Sequence, residues 1–171
     1  MPDDHVDWIL AAWARERPDL DATPIGVIGR ISRAARFLER ELGSVFAGHG
    51  LDGGGYDVLA SLRRSGPPYV LSASALANAT MIARSSMTSR IDRLESAGLV
   101  ARIEDELDGR GVGVRLTEQG LALIDRAVVE HLANESRLLA ALPPGASDRL
   151  AHDLRLLLGE LEARSDGAGR T

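Results

Sequence analysis

The residues best placed to do chemistry lie in one run, RSSMTSRIDRLESAGLVAR, residues 84–102. Ser85, Ser86, Thr88 and Ser89 supply short hydroxyls, and Arg84 and Arg93 supply guanidinium groups. Hydroxyls of this length let a backbone approach closely and exchange hydrogen bonds with base edges or phosphates, while arginines pair with phosphate oxygens. These residues add little to a core, and Ser and Thr are mediocre helix formers. Among them Met87, Ile91 and Leu94 recur at about one helical turn, so a helix here buries that stripe and turns the hydroxyls outward. That is the division of labour required of a helix lying in a DNA major groove.

Such a helix needs a domain to hold it. Upstream, ASALANAT carries Leu76 and Ala77 on a short helix that Ser72 or Ser74 can cap, giving a helix-turn-helix with the 84–97 segment, which stops at Gly98. Leu99–Ile103 and the alternating Val112, Val114 and Leu116 read as two strands joined by the charged turn EDELDGRG, which is a wing. Before this core, His5–Arg17 predicts an amphipathic helix ended by Pro18. Residues 25–47 predict a long one carrying Ile28, Ile31, Leu38, Leu42 and Phe46, and Tyr56–Arg64 a third after the glycines of 48–55. Thr117 opens a long helix to about Leu142, Pro143-Pro144-Gly145 breaks it, and residues 146–163 form a final Leu-rich helix.

The fold class read from this pattern is mainly α with a small two-stranded β-wing: a winged helix-turn-helix with a helical dimerisation region built from the N- and C-terminal helices. The expected division is 1–52 for dimerisation and ligand, 53–117 for DNA, 118–164 for C-terminal dimerisation and 165–171 as a disordered tail. The Leu-rich last helix and the Trp13-bearing first helix offer more apolar surface than a small winged domain can cover, which points to a homodimer.

Composition narrows the function. The chain has 171 residues, no cysteine and a net charge of −5, and all of its basic residues are Arg. Thiol chemistry is excluded. Neither a secretory leader nor a membrane span is legible, so a cytoplasmic protein without a membrane partner is expected. The acidity is uneven: residues 1–71 hold eight Arg against ten acids, 72–116 six against six, and 117–171 six against nine. The helix read as the DNA reader therefore sits in the least acidic third. His5, His49, His131 and His152 lie in separate segments without metal-ligand spacing, GRGVGV joins two strands instead of a strand and a helix, and no nucleophile elbow or P-loop occurs. No enzyme, metal or cofactor is expected.

The segment LSASALANATMIARSSMTSRIDRLESAGLVARIEDELDGRGVGVRLTEQG resembles the winged core of the MarR family of transcriptional regulators, and the resemblance extends over nearly the whole chain. It implies a wing-tip arginine in the minor groove and a Leu-Thr-x-x-Gly start to the next helix, matched by Arg110 and by Leu116-Thr117-Glu118-Gln119-Gly120. Gly109 and Gly111 flank Arg110, leaving a single arginine at the tip where the family commonly has two. The resemblance also implies a homodimer that binds double-stranded DNA at a pseudo-palindromic operator, with half-sites about 10 base pairs apart.

A narrower similarity, carried by WARERPDLDATPIGVIGRISR, YDVLASLRRSGPPY and SMTSRIDRLE, is to the urate-responsive branch of that family. It implies a site for a small anionic effector made by Trp13, Asp57, Arg90 and Arg102, with Asp57 holding Arg90 until an anion such as urate, xanthine, citrate or trans-aconitate takes its place. An aromatic face can stack a planar ligand and arginines can grip anionic oxygens. The bland alternative is a permanent Asp57–Arg90 pair with Trp13 in a dimer core. The acidic net charge and the lone Arg110 also leave open a scaffold that binds small molecules or proteins and not DNA.

Overall fold

The computed structural model describes residues 3–80, 84–104 and 112–168, and forms two compact units, Met1–His131 and Leu132–Thr171. The element order is α1 (His5–Glu16), α2 (Thr23–Gly48), α3 (Gly53–Arg64), β1 (Val70–Ser72), α4 (Ala73–Thr80), α5 (Arg84–Ser96), β2 (Val100–Glu104), β3 (Val112–Leu116), α6 (Glu118–Leu139) and α7 (Ala146–Ala168). The wing tip, including Asp105, Asp108 and Arg110, lies outside the described residues.

Two corrections concern the sheet and α3. The sheet has three antiparallel strands in the order β1-β3-β2, not two. The extra strand, three residues long, is too short to display an alternating pattern, and its pairing of Val70, Leu71 and Ser72 with Arg115, Val114 and Gly113 defines it. Helix α3 begins at Gly53, before the expected Tyr56, because the side chain of Asp52 caps it by accepting the Gly55 N–H at 2.6 Å. Helix α7 also outruns its Leu stripe, so residues 165–168 of the expected tail are helical.

Helix α1 starts with a capping box in which Asp4 accepts from Val6 and Asp7 N–H while Asp7 accepts from Asp4 N–H. The same two carboxylates fasten α1 to α2: Arg30 Nε lies 2.9 Å from Asp4 and Arg30 Nη2 lies 2.6 Å from Asp7. Val6, 1% exposed, packs beside Gly29 in this contact.

The core of the first unit is where α3, α4, α5, the sheet and the start of α6 meet. Val58, Leu59, Leu62, Leu76, Met87, Val114 and Ile124 are its largest fully enclosed side chains. Burying each stabilises by about 1.5–3 kcal/mol. Gly98, at φ +72°, takes the left-handed turn that ends α5, and Leu99 N–H then bonds back to the Leu94 carbonyl at 2.9 Å. Thr117 Oγ1 donates to the Gly98 carbonyl and accepts from Gly120 N–H, so the α6 cap is bolted to the end of α5. At Gly120 the helix presses on the turn before β2 so closely that a Cβ would stand 1.9 Å from the Leu99 carbonyl oxygen.

Two outcomes follow. Gly120→Ala is expected to destabilise by about 1–3 kcal/mol, since backbone must shift to admit the methyl group. Calorimetry should record a fall in Tm of roughly 2–4 °C for each kcal/mol. Arg30→Ala is expected to speed amide hydrogen exchange over α1 while core amides stay protected. Hydrogen bonds to Arg30 hold the carboxyls of Asp4 and Asp7 below the usual range. The tie is therefore complete above the ordinary aspartate pKa of about 3.9 and is lost as pH falls through the lowered values, so acid should free α1 as the substitution does.

Candidate DNA interface and anion cleft

Helix α5 is held by its stripe. Met87 is 2%, Ile91 2% and Leu94 5% exposed, and Ser86, Thr88, Ser89, Asp92 and Arg93 stand on the open side. Ser89 Oγ donates to the Ser86 carbonyl at 3.0 Å, a bond within the helix that leaves its oxygen free to accept. Arg84 and Ser85 lie in the first turn of α5, and their side chains lie outside the described residues, as does Arg110. The hydroxyl face foreseen from the sequence is therefore outward for Ser86, Thr88 and Ser89, on a helix whose other side is core.

On one flank of α5, a cleft of about 200 Å³ opens against the start of α3. Its floor is apolar, with Leu51, Leu94 and Leu99, and its charged groups are Asp52, Arg90 and Arg93. Arg90 Nη1 reaches both oxygens of Asp52, at 3.1 and 3.2 Å, and Arg93 Nη1 lies 3.7 Å from Asp52 Oδ2. The Arg90 side chain is 25% exposed, and its Nε is buried with no partner among the described residues. The guanidinium occupies the space a side chain at 54 would need: a Cβ on Gly54 would stand 1.8 Å from Arg90 Nη1.

The expected Asp57–Arg90 pair is thus replaced by Asp52–Arg90. Asp57 makes no ion pair with Arg90 among the described residues, although Arg90 is near enough to act on it through space. Partial burial pushes the Asp57 carboxyl above the usual range, against the pull of Arg64, Arg90 and His131. Arg102 is committed elsewhere: its guanidinium binds Asp92 and Glu95 on α5, and its backbone N–H donates to Glu95 at 3.0 Å. Those bonds hold it charged, Asp92 contributing most. Trp13 stands on α1, 43% exposed, and does not line the cleft. Of the four residues assigned to a ligand, Arg90 alone lines it.

Sequence reasoning missed Asp52 and Gly54. A signal for the first existed, since Asp before a residue run that becomes helical is a cap pattern, but three glycines after it read as a breaker. Position 54 carried no signal, because its demand comes from a side chain 36 residues away, at position 90.

The arrangement has relatives. The MarR family model matches residues 49–111, from the turn before α3 to the wing. The HTH-type transcriptional regulator PecS of Dickeya dadantii is 46% identical over 158 residues, covering 92% of this chain and 93% of that protein. Among solved structures, Sco3205, a MarR family regulator of Streptomyces coelicolor in complex with DNA, aligns with a TM-score of 0.75 at 26% identity, covering 83% of this chain and 93% of the other. BpsR of Bordetella bronchiseptica, whose DNA binding is regulated by 6-hydroxynicotinic acid, aligns with a TM-score of 0.68 at 25% identity, covering 77% and 91%. A similarity of this depth, over 92% of the chain and with the family model on the helix-turn-helix, means that the chain belongs to the MarR family of winged helix-turn-helix transcriptional regulators.

Proposed function

We propose that this PecS-like regulator works as a homodimeric repressor, gripping a pseudo-palindromic operator and letting go when a small anionic metabolite binds. The observation that carries the reading is the position of the cleft: its two arginines, Arg90 and Arg93, belong to the helix that presents Ser86, Thr88 and Ser89 outward. An anion bound there touches the DNA-reading helix itself, so it can favour one orientation of that helix over another, which is what coupling two ligands requires.

In this reading Arg84, Ser85, Ser86, Thr88, Ser89 and Arg93 meet the major groove and Arg110 the minor groove. Arg90, in the cleft, serves the effector, with urate, xanthine, citrate and trans-aconitate as the candidates; Trp13, Asp57 and Arg102, which do not line the cleft, are assigned to the effector by the resemblance to the urate-responsive branch alone. DNA regulation by an organic acid in BpsR and a DNA complex in Sco3205 support both halves by analogy. Apolar side chains left open support the dimer: Trp13, Val27, Ile28 and Phe37 on α1 and α2, and Leu150, Leu156, Leu158 and Leu161 on α7, are each 43% exposed or more. A repressor of this kind works in the cytoplasm, and no described helix is long and apolar enough to cross a membrane.

The test is fluorescence anisotropy of a duplex taken from upstream of the protein's own gene, titrated with protein at several salt concentrations and then with each of the four anions. Tight binding that weakens steeply with salt, and release by one anion, are the expected results. Salt-insensitive or absent binding to this and to genome-selected duplexes overturns the reading in favour of a scaffold. Arg93→Ala is expected to lower the salt slope by about one, and Ser86→Ala or Thr88→Ala to relax sequence preference by about 1–3 kcal/mol at the contacted base pair. Arg90→Ala is expected to remain folded and dimeric while losing release by the anion. Light scattering should give twice the 18.2 kDa chain mass.

A further inference from the structure

Asp52 holds two structures at once. Its Oδ1 accepts the Gly55 N–H at 2.6 Å, capping α3, and the same carboxylate takes Arg90 at 3.1 Å and Arg93 at 3.7 Å from α5. The Asp52 side chain is 54% exposed and the Arg90 side chain 25%, so the arginine is the enclosed member and the carboxylate the one open to replacement from solvent. Arg90 reaches this carboxylate by lying over Gly54, where any larger residue would collide with it.

We infer that Asp52 is a built-in competitor for the effector: an intramolecular anion that keeps Arg90 seated on Gly54 and ties the recognition helix α5 to the start of α3. This deepens the reading proposed above and rests on it. The logic is linkage. An incoming anion and Asp52 claim the same guanidinium, so effector binding requires the Asp52–Arg90 contact to open. If the effector lowers DNA affinity, then the contact belongs to the state with high DNA affinity, by reciprocity. Asp52, tethered, competes at a high effective concentration and thereby sets how much effector is needed. Asp52 and Gly54 act through Arg90 and are positioning residues.

Two substitutions open the contact by unrelated routes. Asp52→Asn removes the charge and keeps an N-cap acceptor, since Asn caps about as well as Asp. Gly54→Ala leaves Asp52 in place, favours helix, and pushes away only the far end of a flexible arginine. Both are expected to weaken duplex binding about fivefold, the scale for a part-exposed ion pair, and to lower the half-release concentration of whichever of urate, xanthine, citrate and trans-aconitate acts on the wild type by a similar factor. Neither is expected to lower Tm by more than about 3 °C, whereas Asp52→Ala, which also loses the cap, is expected to lower it further.

The decisive experiment measures duplex affinity, half-release concentration and Tm for the wild type, Asp52→Asn and Gly54→Ala. Parallel shifts of both binding constants in the two variants, with Tm lowered by no more than about 3 °C, support the competitor role. Wild-type binding constants in either variant overturn it, because a charge effect without Gly54→Ala, or a packing effect without Asp52→Asn, does not run through the seated arginine. A wild type that binds no duplex, or is released by none of the four anions, fails one step earlier, at the functional reading, and takes this inference with it.

Discussion

Everything proposed for this chain depends on the burial of Met87, Ile91 and Leu94 along one side of α5. That stripe decides which residues of the helix are outward, and it fixes the helix against the side chains from α3, α4, the sheet and the start of α6 that make up the core. Its hydrophobic attachment is strong but has little say in orientation, because apolar contact is not directional. Orientation is set by charged contacts on the flanks. Asp52 takes Arg90 and Arg93 on one side, and Arg102 takes Asp92 and Glu95 on the other. Part-exposed ion pairs of this kind are individually worth little. Strong burial with weakly fastened flanks fits the proposal that this element stays attached and is tilted by a small ligand.

The parts legible in the sequence were those governed by local period and punctuation. The spacing of Met87, Ile91 and Leu94 predicted α5 and its buried side, Gly98 predicted its end, and Leu-Thr-x-x-Gly predicted the α6 start. What could not be read was long-range pairing. Strand β1 exists only through its register with β3, and the Asp52–Arg90 contact joins residues 38 apart. The early start of α3 misled for a related reason: Gly53, Gly54 and Gly55 are poor helix formers taken singly, and their helix rests on a cap and on an arginine that needs the vacant space.

Two glycines illustrate how different a missing side chain can be. At Gly120 the obstacle is a carbonyl oxygen of the backbone, and the Leu-Thr-x-x-Gly pattern reflects the approach of α6 to the turn before β2. At Gly54 the obstacle is the tip of Arg90, which can move. The first glycine belongs to the architecture. The second belongs to the setting of a single side chain, and so to whatever that side chain regulates.

Position 52 is also a question about which amino acids can occupy it. The α3 cap accepts Asp, Asn, Ser or Thr, whose short side chains reach back to a backbone N–H. The arginines of α5 accept a carboxylate, which is Asp or Glu. The two sets share one member. On the proposed role, a substitution here either loosens the α3 cap or releases the arginines, and Asp alone serves both contacts. On the role proposed for Asp52, regulators built this way can vary their sensitivity through the residues around position 52 while leaving both of its contacts in place.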